Sequence, residues 1–204
     1  MNEHHSKKAE ALQFLRQSGG LVRTGAAIAA GINPATLYAL RDEGLVERVT
    51  RGLYRLAEQE LSEAPDLATV AARVPDAVIC LLSALEWHDL TTQIPHAVHL
   101  AIRQGAWRPK LDYPPLRVFR LTEPCFSAGI EVHEIGGVPV RIYSAEKTLV
   151  DCFKYRNKIG LDVALEALKL YRQRGKMKVS ELMQHALTCR VSRIMRPYLD
   201  ALLT

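Results

Sequence analysis

The chain has 204 residues, 48% hydrophobic and 24% charged, which suits one large globular domain or two small ones. Its longest apolar run, near residues 77–85, is too short to span a bilayer, and the N-terminal MNEHHSKK lacks the apolar segment of a signal peptide. A cytoplasmic protein without a membrane span is therefore expected, and its net charge of +5 has the sign that suits a polyanionic partner.

Residues 6–18 read as an amphipathic helix, with Ala9, Leu12 and Leu15 on one side, ended by Gly19-Gly20. A short strand over 21–23 follows, and Thr24 is expected to cap an alanine-rich helix that Gly31 terminates. Asn33 is a good N-cap and Pro34 suits the first helical position, where its missing N–H costs nothing. The helix they open runs to about Glu43, anchored by Leu37 and Leu40. Ala35, Thr36, Tyr38 and Arg41 border it or face outward. Strands over 45–50 and 53–56 flank an Arg51-Gly52 turn. This order describes a winged helix-turn-helix, which offers one helix to a DNA major groove and a basic hairpin to the flanking backbone. The predicted DNA-binding residues are Asn33, Ala35, Thr36, Tyr38 and Arg41 from the helix, with Arg48, Arg51 and Arg55 from the wing.

The acidic stretch over 57–65 marks the expected boundary between a winged helix-turn-helix at 1–60 and a second domain at 66–204. That second domain opens with a helix over 66–74, followed by a strongly apolar helix over 76–88. Strands are expected over 97–103 and 116–121, joined by the loop RQGAWRPKLDYPP. Trp107 in that basic loop is expected to anchor it, to stack on a base or to pack into a partner. Gly136-Gly137 between 130–134 and 138–143 signals a hairpin, and Ser144 caps a helix to about Tyr155. Helices over 161–174, 179–187 and 193–203 complete the chain. The fold class is α+β: a winged helix-turn-helix followed by a mixed α/β domain ending in helices.

Four cysteines, Cys80, Cys125, Cys152 and Cys189, are far apart and contain no C-x-x-C pair, so reduced thiols are expected, with neither a zinc cluster nor a disulfide framework. No cofactor is expected. On the helix after Ser144, Lys147, Asp151 and Lys154 fall at i, i+4 and i+7. They read as an ion-paired exposed face, or as a partner surface extended by Arg156, Asn157 and Lys158. Residues 1–60 are nearly neutral, whereas 144–204 carry twelve Lys/Arg against six Asp/Glu.

The chain resembles the AbiEi-type antitoxins of bacterial type IV toxin–antitoxin systems. The resemblance rests on AAGINPATLYALRDEGLVERVTRGLYRL in the N-terminal part, on LSALEWHDLTTQIP, and on VRIYSAEKTLVDCFKYRNKIGLDVALEAL. It implies a winged helix that binds inverted repeats in its own promoter and represses the operon. It also implies a C-terminal antitoxin domain that opposes a cognate nucleotidyltransferase-fold toxin, directly or indirectly. A ligand-sensing one-component regulator without a toxin is the alternative. A metal-dependent nuclease would need a carboxylate two residues before a Lys or Gln, and that spacing does not occur, so no enzyme is expected.

Overall fold

The computed structural model describes residues 2–59, 62–175 and 177–203. Positions 60 and 61 of the expected linker lie outside the described residues. The fold is α+β and divides into two compact units. Unit one comprises residues 1–76, 109–114 and 133–140; unit two comprises 77–108, 115–132 and 141–204. Among the described residues no helix is long and apolar enough to cross a membrane.

Unit one begins with α1 (Asn2–Gln17), β1 (Val22–Arg23), α2 (Thr24–Ala29) and α3 (Pro34–Asp42). The wing follows as β2 (Val46–Thr50) and β3 (Leu53–Leu56). The strands form an antiparallel sheet in the order β1-β3-β2, with Arg48 opposite Tyr54 and Glu47 opposite Arg55. Ala11 and Leu15 of α1 meet Leu37 and Leu40 of α3 in a core completed by Val22, Ala27, Val46, Tyr54 and Leu56. Burying these side chains is the main force that holds helices as short as α2 in place. Thr24 differs from expectation. It is the first helical residue and no side chain caps α2; its N–H donates instead to the Gly52 carbonyl at 3.0 Å, tying helix to wing turn.

The helix expected to open the second domain, α4 (Pro65–Arg73), belongs to unit one. It buries Leu67, Ala68, Val70 and Ala72 and packs against β1 and β3, so its apolar face completes the winged domain. Arg23 Nε donates to the Ala72 carbonyl at its C-terminal end. The hairpin tip at residues 133–140 also belongs to unit one. A side chain at Gly20 would run into the Gly136 carbonyl, so this close passage of two backbones admits only glycine there.

The second sheet has five strands in the order β6-β5-β4-β8-β7. Its strands are β4 (Val78–Ile79), β5 (Val98–Arg103), β6 (Leu116–Leu121), β7 (Ile130–Ile135) and β8 (Val138–Tyr143). β4 pairs antiparallel with β5 and parallel with β8, while β5 and β6 are parallel. Here the single helix expected over 76–88 is corrected. Val78 and Ile79 form a central strand buried among neighbours, and α5 covers only Leu81–Trp87. A short apolar run does not distinguish a buried strand from a buried helix, and β-branched residues between two partner strands decide it.

The remaining helices are α6 (Ala145–Lys154), α7 (Arg156–Ile159), α8 (Leu161–Gln173), α9 (Val179–Thr188) and α10 (Ser192–Leu203). Ser144 caps α6 as expected, its hydroxyl accepting from the Lys147 N–H at 3.3 Å. α6 lies among α5, α8, α9 and α10 and buries every residue from Glu146 to Phe153. Cys125 and Cys189 form a disulfide with Cα atoms 5.1 Å apart, contrary to the expected free thiols, because the fold brings residues 64 apart in sequence together. Cys80 and Cys152 are free and buried, and burial pushes both thiols well up from their ordinary range.

Candidate nucleic-acid interface

α3 is built from its cap outward. The Asn33 side chain accepts a hydrogen bond from the Ala35 N–H at 2.9 Å, Pro34 occupies the first turn, and Leu37 and Leu40 are fully buried. That anchoring leaves Ala35 and Tyr38 exposed and Thr36 and Ala39 half-buried. On one flank, Tyr38 and Arg41 join Thr24, Arg48, Arg51, Gly52 and Tyr54 around a cleft of about 310 Å³. The wing and the helix thus bring four of the predicted DNA-binding residues together: Tyr38, Arg41, Arg48 and Arg51. Arg48 and Arg51 are exposed and have no carboxylate partner among the described residues. A register shift between Arg48 and Thr50 bends β2 just before the wing turn. Arg41 lies 5.5 Å from the centre of the Tyr38 ring and is held by Asp42, Nη2 to Oδ1 at 2.7 Å.

Other predicted residues stand elsewhere. Asn33 spends its side-chain oxygen on the cap, so it positions the helix. Arg55 pairs with Glu47 at 2.6 Å and donates to the Gln59 carbonyl at 3.2 Å. Strand alternation puts it on the face opposite Arg48, so it braces the wing from behind. Thr36 and Ala35 border a second groove, of about 640 Å³, on the far flank of α3. Lys7, Lys8 and Glu10 of α1 form its other wall, and Lys8 pairs with Glu43. Sequence reasoning missed Lys7 and Tyr54, because the packing of α1 on α3 and of β3 on β2 brings them to the grooves.

Residues 10–57, which span this whole helix-turn-helix and wing, match the family model described as "Transcriptional regulator, AbiEi antitoxin". The winged segment is similar to that family. That description is of transcriptional-regulator antitoxins. No curated protein matches the chain.

The second predicted surface is corrected. Lys147 and Asp151 are not a partner surface or a solvated stripe. They are 0% and 1% exposed and form a buried ion pair at 2.6 Å. The i, i+4 spacing is the same inside a bundle as on its surface, and here α6 is enclosed by other helices. The Lys147 ammonium also lies 4.1 Å from the centre of the Tyr143 ring. Burial raises the Asp151 carboxyl above its ordinary range, and the neighbouring Lys147 works against that rise. Cys125 Sγ is 3.9 Å from Asp151 Oδ1, which places the disulfide against the same pair. Lys154 is half-buried and donates to the Cys189 carbonyl at 2.9 Å, and Arg156 donates to the Phe153 carbonyl at 3.1 Å. Lys158 stays exposed beside Tyr155. Trp107 anchors nothing and is 96% exposed.

Proposed function

We propose that this protein binds double-stranded DNA in its own promoter and represses transcription there. We further propose that unit two opposes a nucleotidyltransferase-fold toxin encoded with it. The observation that carries the DNA-binding reading is the cleft in which Tyr38 and Arg41 of α3 meet Arg48 and Arg51 of the wing. The small side chains of Ala35, Thr36 and Ala39 let one flank of the helix approach base edges closely, and free guanidinium groups beside it neutralise phosphates. In this reading α3 enters the major groove, with Tyr38 and Arg41 toward bases or sugar-phosphate and Arg48 and Arg51 on the backbone. The activity is binding, and no catalytic step is assigned.

The test is a mobility shift on the DNA upstream of the gene. Wild type retards it in preference to scrambled DNA, and Arg48→Ala with Arg51→Ala weakens retardation by at least about tenfold. Equal retardation of both DNAs, or no change in the double variant, contradicts the reading. Co-expression with a candidate toxin encoded beside the gene tests the second half, with recovery of growth as the readout.

A further inference from the structure

The most exposed large hydrophobic side chain described in the structure, Trp107, is left unused by the winged-helix reading. It stands just past the end of β5 on a defined turn. The Gln104 N–H donates to the Leu121 carbonyl at 2.8 Å, and the Ala106 N–H donates to the Arg103 carbonyl at 3.0 Å. Gly105 takes the left-handed conformation, with φ of 86°, that reverses the chain between them. Arg103 anchors the base of the turn, its guanidinium 4.6 Å from the centre of the Phe126 ring and ion-paired to Glu123. The indole is therefore held out on a braced support while residues 103–108 are all exposed.

The surroundings carry more positive than negative charge, since the nearby Glu123 is committed to Arg103. Residues 97–108 and 115–122, which supply β5, the turn and β6, contain Arg103, Arg108, Arg117 and Arg120 and no Asp or Glu. β6 is the outer strand of the sheet, and Arg117 and Arg120 are exposed on it. Arg120 lies opposite Ile102 in the β5–β6 register, one position before the turn begins. Arginines on an outer strand also protect an edge from pairing with another chain, but that role gives no reason for an exposed indole on the turn that follows the neighbouring strand.

We infer that Trp107, with Arg108 and Arg120, forms a binding surface for single-stranded nucleic acid. The indole stacks on an unpaired base and the guanidinium groups hold the adjacent phosphates. An indole face takes any base, guanidinium groups take the phosphates between bases, and the two together complement an unpaired strand better than a duplex, whose base faces are covered. Single-stranded DNA and RNA share this chemistry. The inference does not depend on the winged-helix reading, because none of its residues lies in unit one.

The experiment uses the full chain in low salt with oligothymidylate and oligouridylate of about 20 nucleotides, the length of a few base-stacking sites. Trp107 dominates the change in indole emission, since the other tryptophan, Trp87, is half-buried in α5. Wild type binds with quenched emission. Trp107→Ala weakens binding about 5- to 100-fold, while Trp107→Phe keeps most of it. Arg120→Ala weakens binding and lowers its salt dependence. Because residue 107 is almost wholly exposed, its variants test the surface without disturbing a core. Binding of one polymer in preference to the other identifies the source of the strand. Absence of binding, or equal binding by wild type and Trp107→Ala, overturns the inference. So does loss of toxin neutralisation in Trp107→Ala with nucleic-acid binding intact, which would make the indole a protein contact. Failure of Arg51→Ala to affect promoter DNA would count against the winged-helix reading alone.

Discussion

At the scale of residues, four arginines that look alike in sequence have different tasks. Arg48 and Arg51 are exposed without an ion pair among the described residues, Arg41 is held by Asp42, and Arg55 is committed to Glu47. Only a free guanidinium releases a counterion on meeting phosphate without first giving up a protein partner. Arg51→Ala should therefore lower the slope of log affinity against log salt by about 1, while Arg55→Ala should leave it nearly unchanged. Titrating both variants at several salt concentrations checks this, and equal slopes would mean that the face behind the wing also touches DNA. Asn33 acts one step earlier. Removing its cap by Asn33→Ala should cost about 1 kcal/mol of stability in urea unfolding. The composition of the wing made it legible as basic, but nothing in the spacing of Glu47 and Arg55 shows that they pair across two strands.

At the scale of elements, α6 shows how far pattern alone reaches. Its start at Ser144 and its length follow from capping and periodicity, and both agree with the structure. Its environment does not follow, because Lys147 and Asp151 are spaced as a surface pair and sit in the middle of a bundle. Inside the bundle, losing one charge strands the other. Asp151→Leu should cost about 3–5 kcal/mol, and combining it with Lys147→Met should restore most of that, measured by denaturant unfolding. Absence of recovery in the double variant would show that the hydrogen-bonding geometry, and not the stranded charge, dominates.

β5 also carries a buried titratable side chain. His99 is 4% exposed, and burial, with Arg117 adding to it, pushes its imidazole down to about 4. An unfolded histidine takes its proton near pH 6.5, before the folded one does, so protons favour the unfolded chain across that interval. Stability should fall as pH drops from about 6.5 towards 4, by at most about 1.4 kcal/mol per unit from this group. His99→Leu should remove that part of the slope, and an unchanged slope would contradict the burial of the neutral ring. β4 shows the same limit of pattern: Val78 and Ile79 read as helix in an apolar run and become strand because β5 and β8 flank them.

At the scale of the whole molecule, the sequence divides plainly into a winged part and an α+β part, but packing draws α4 and the tip of the β7–β8 hairpin into unit one. The hairpin tip could not be foreseen from order along the chain, because it is joined to unit one by the bare backbones of Gly20 and Gly136, which carry no side-chain pattern. The Cys125–Cys189 disulfide was hidden for a related reason, its partners lying 64 residues apart. Closing a loop of that length restricts the unfolded chain, so Cys125→Ser with Cys189→Ser should lower stability by about 4 kcal/mol. Addition of reductant should have an effect on wild type and none on the double variant. The cleft between α3 and the wing bears most of the functional weight. A footprint of the full chain on the DNA upstream of its gene tests it most directly. The prediction is protection of a site containing inverted repeats, lost in Arg48→Ala with Arg51→Ala and retained in Arg55→Ala; uniform protection across the fragment, or a footprint indifferent to Arg48 and Arg51, would contradict it.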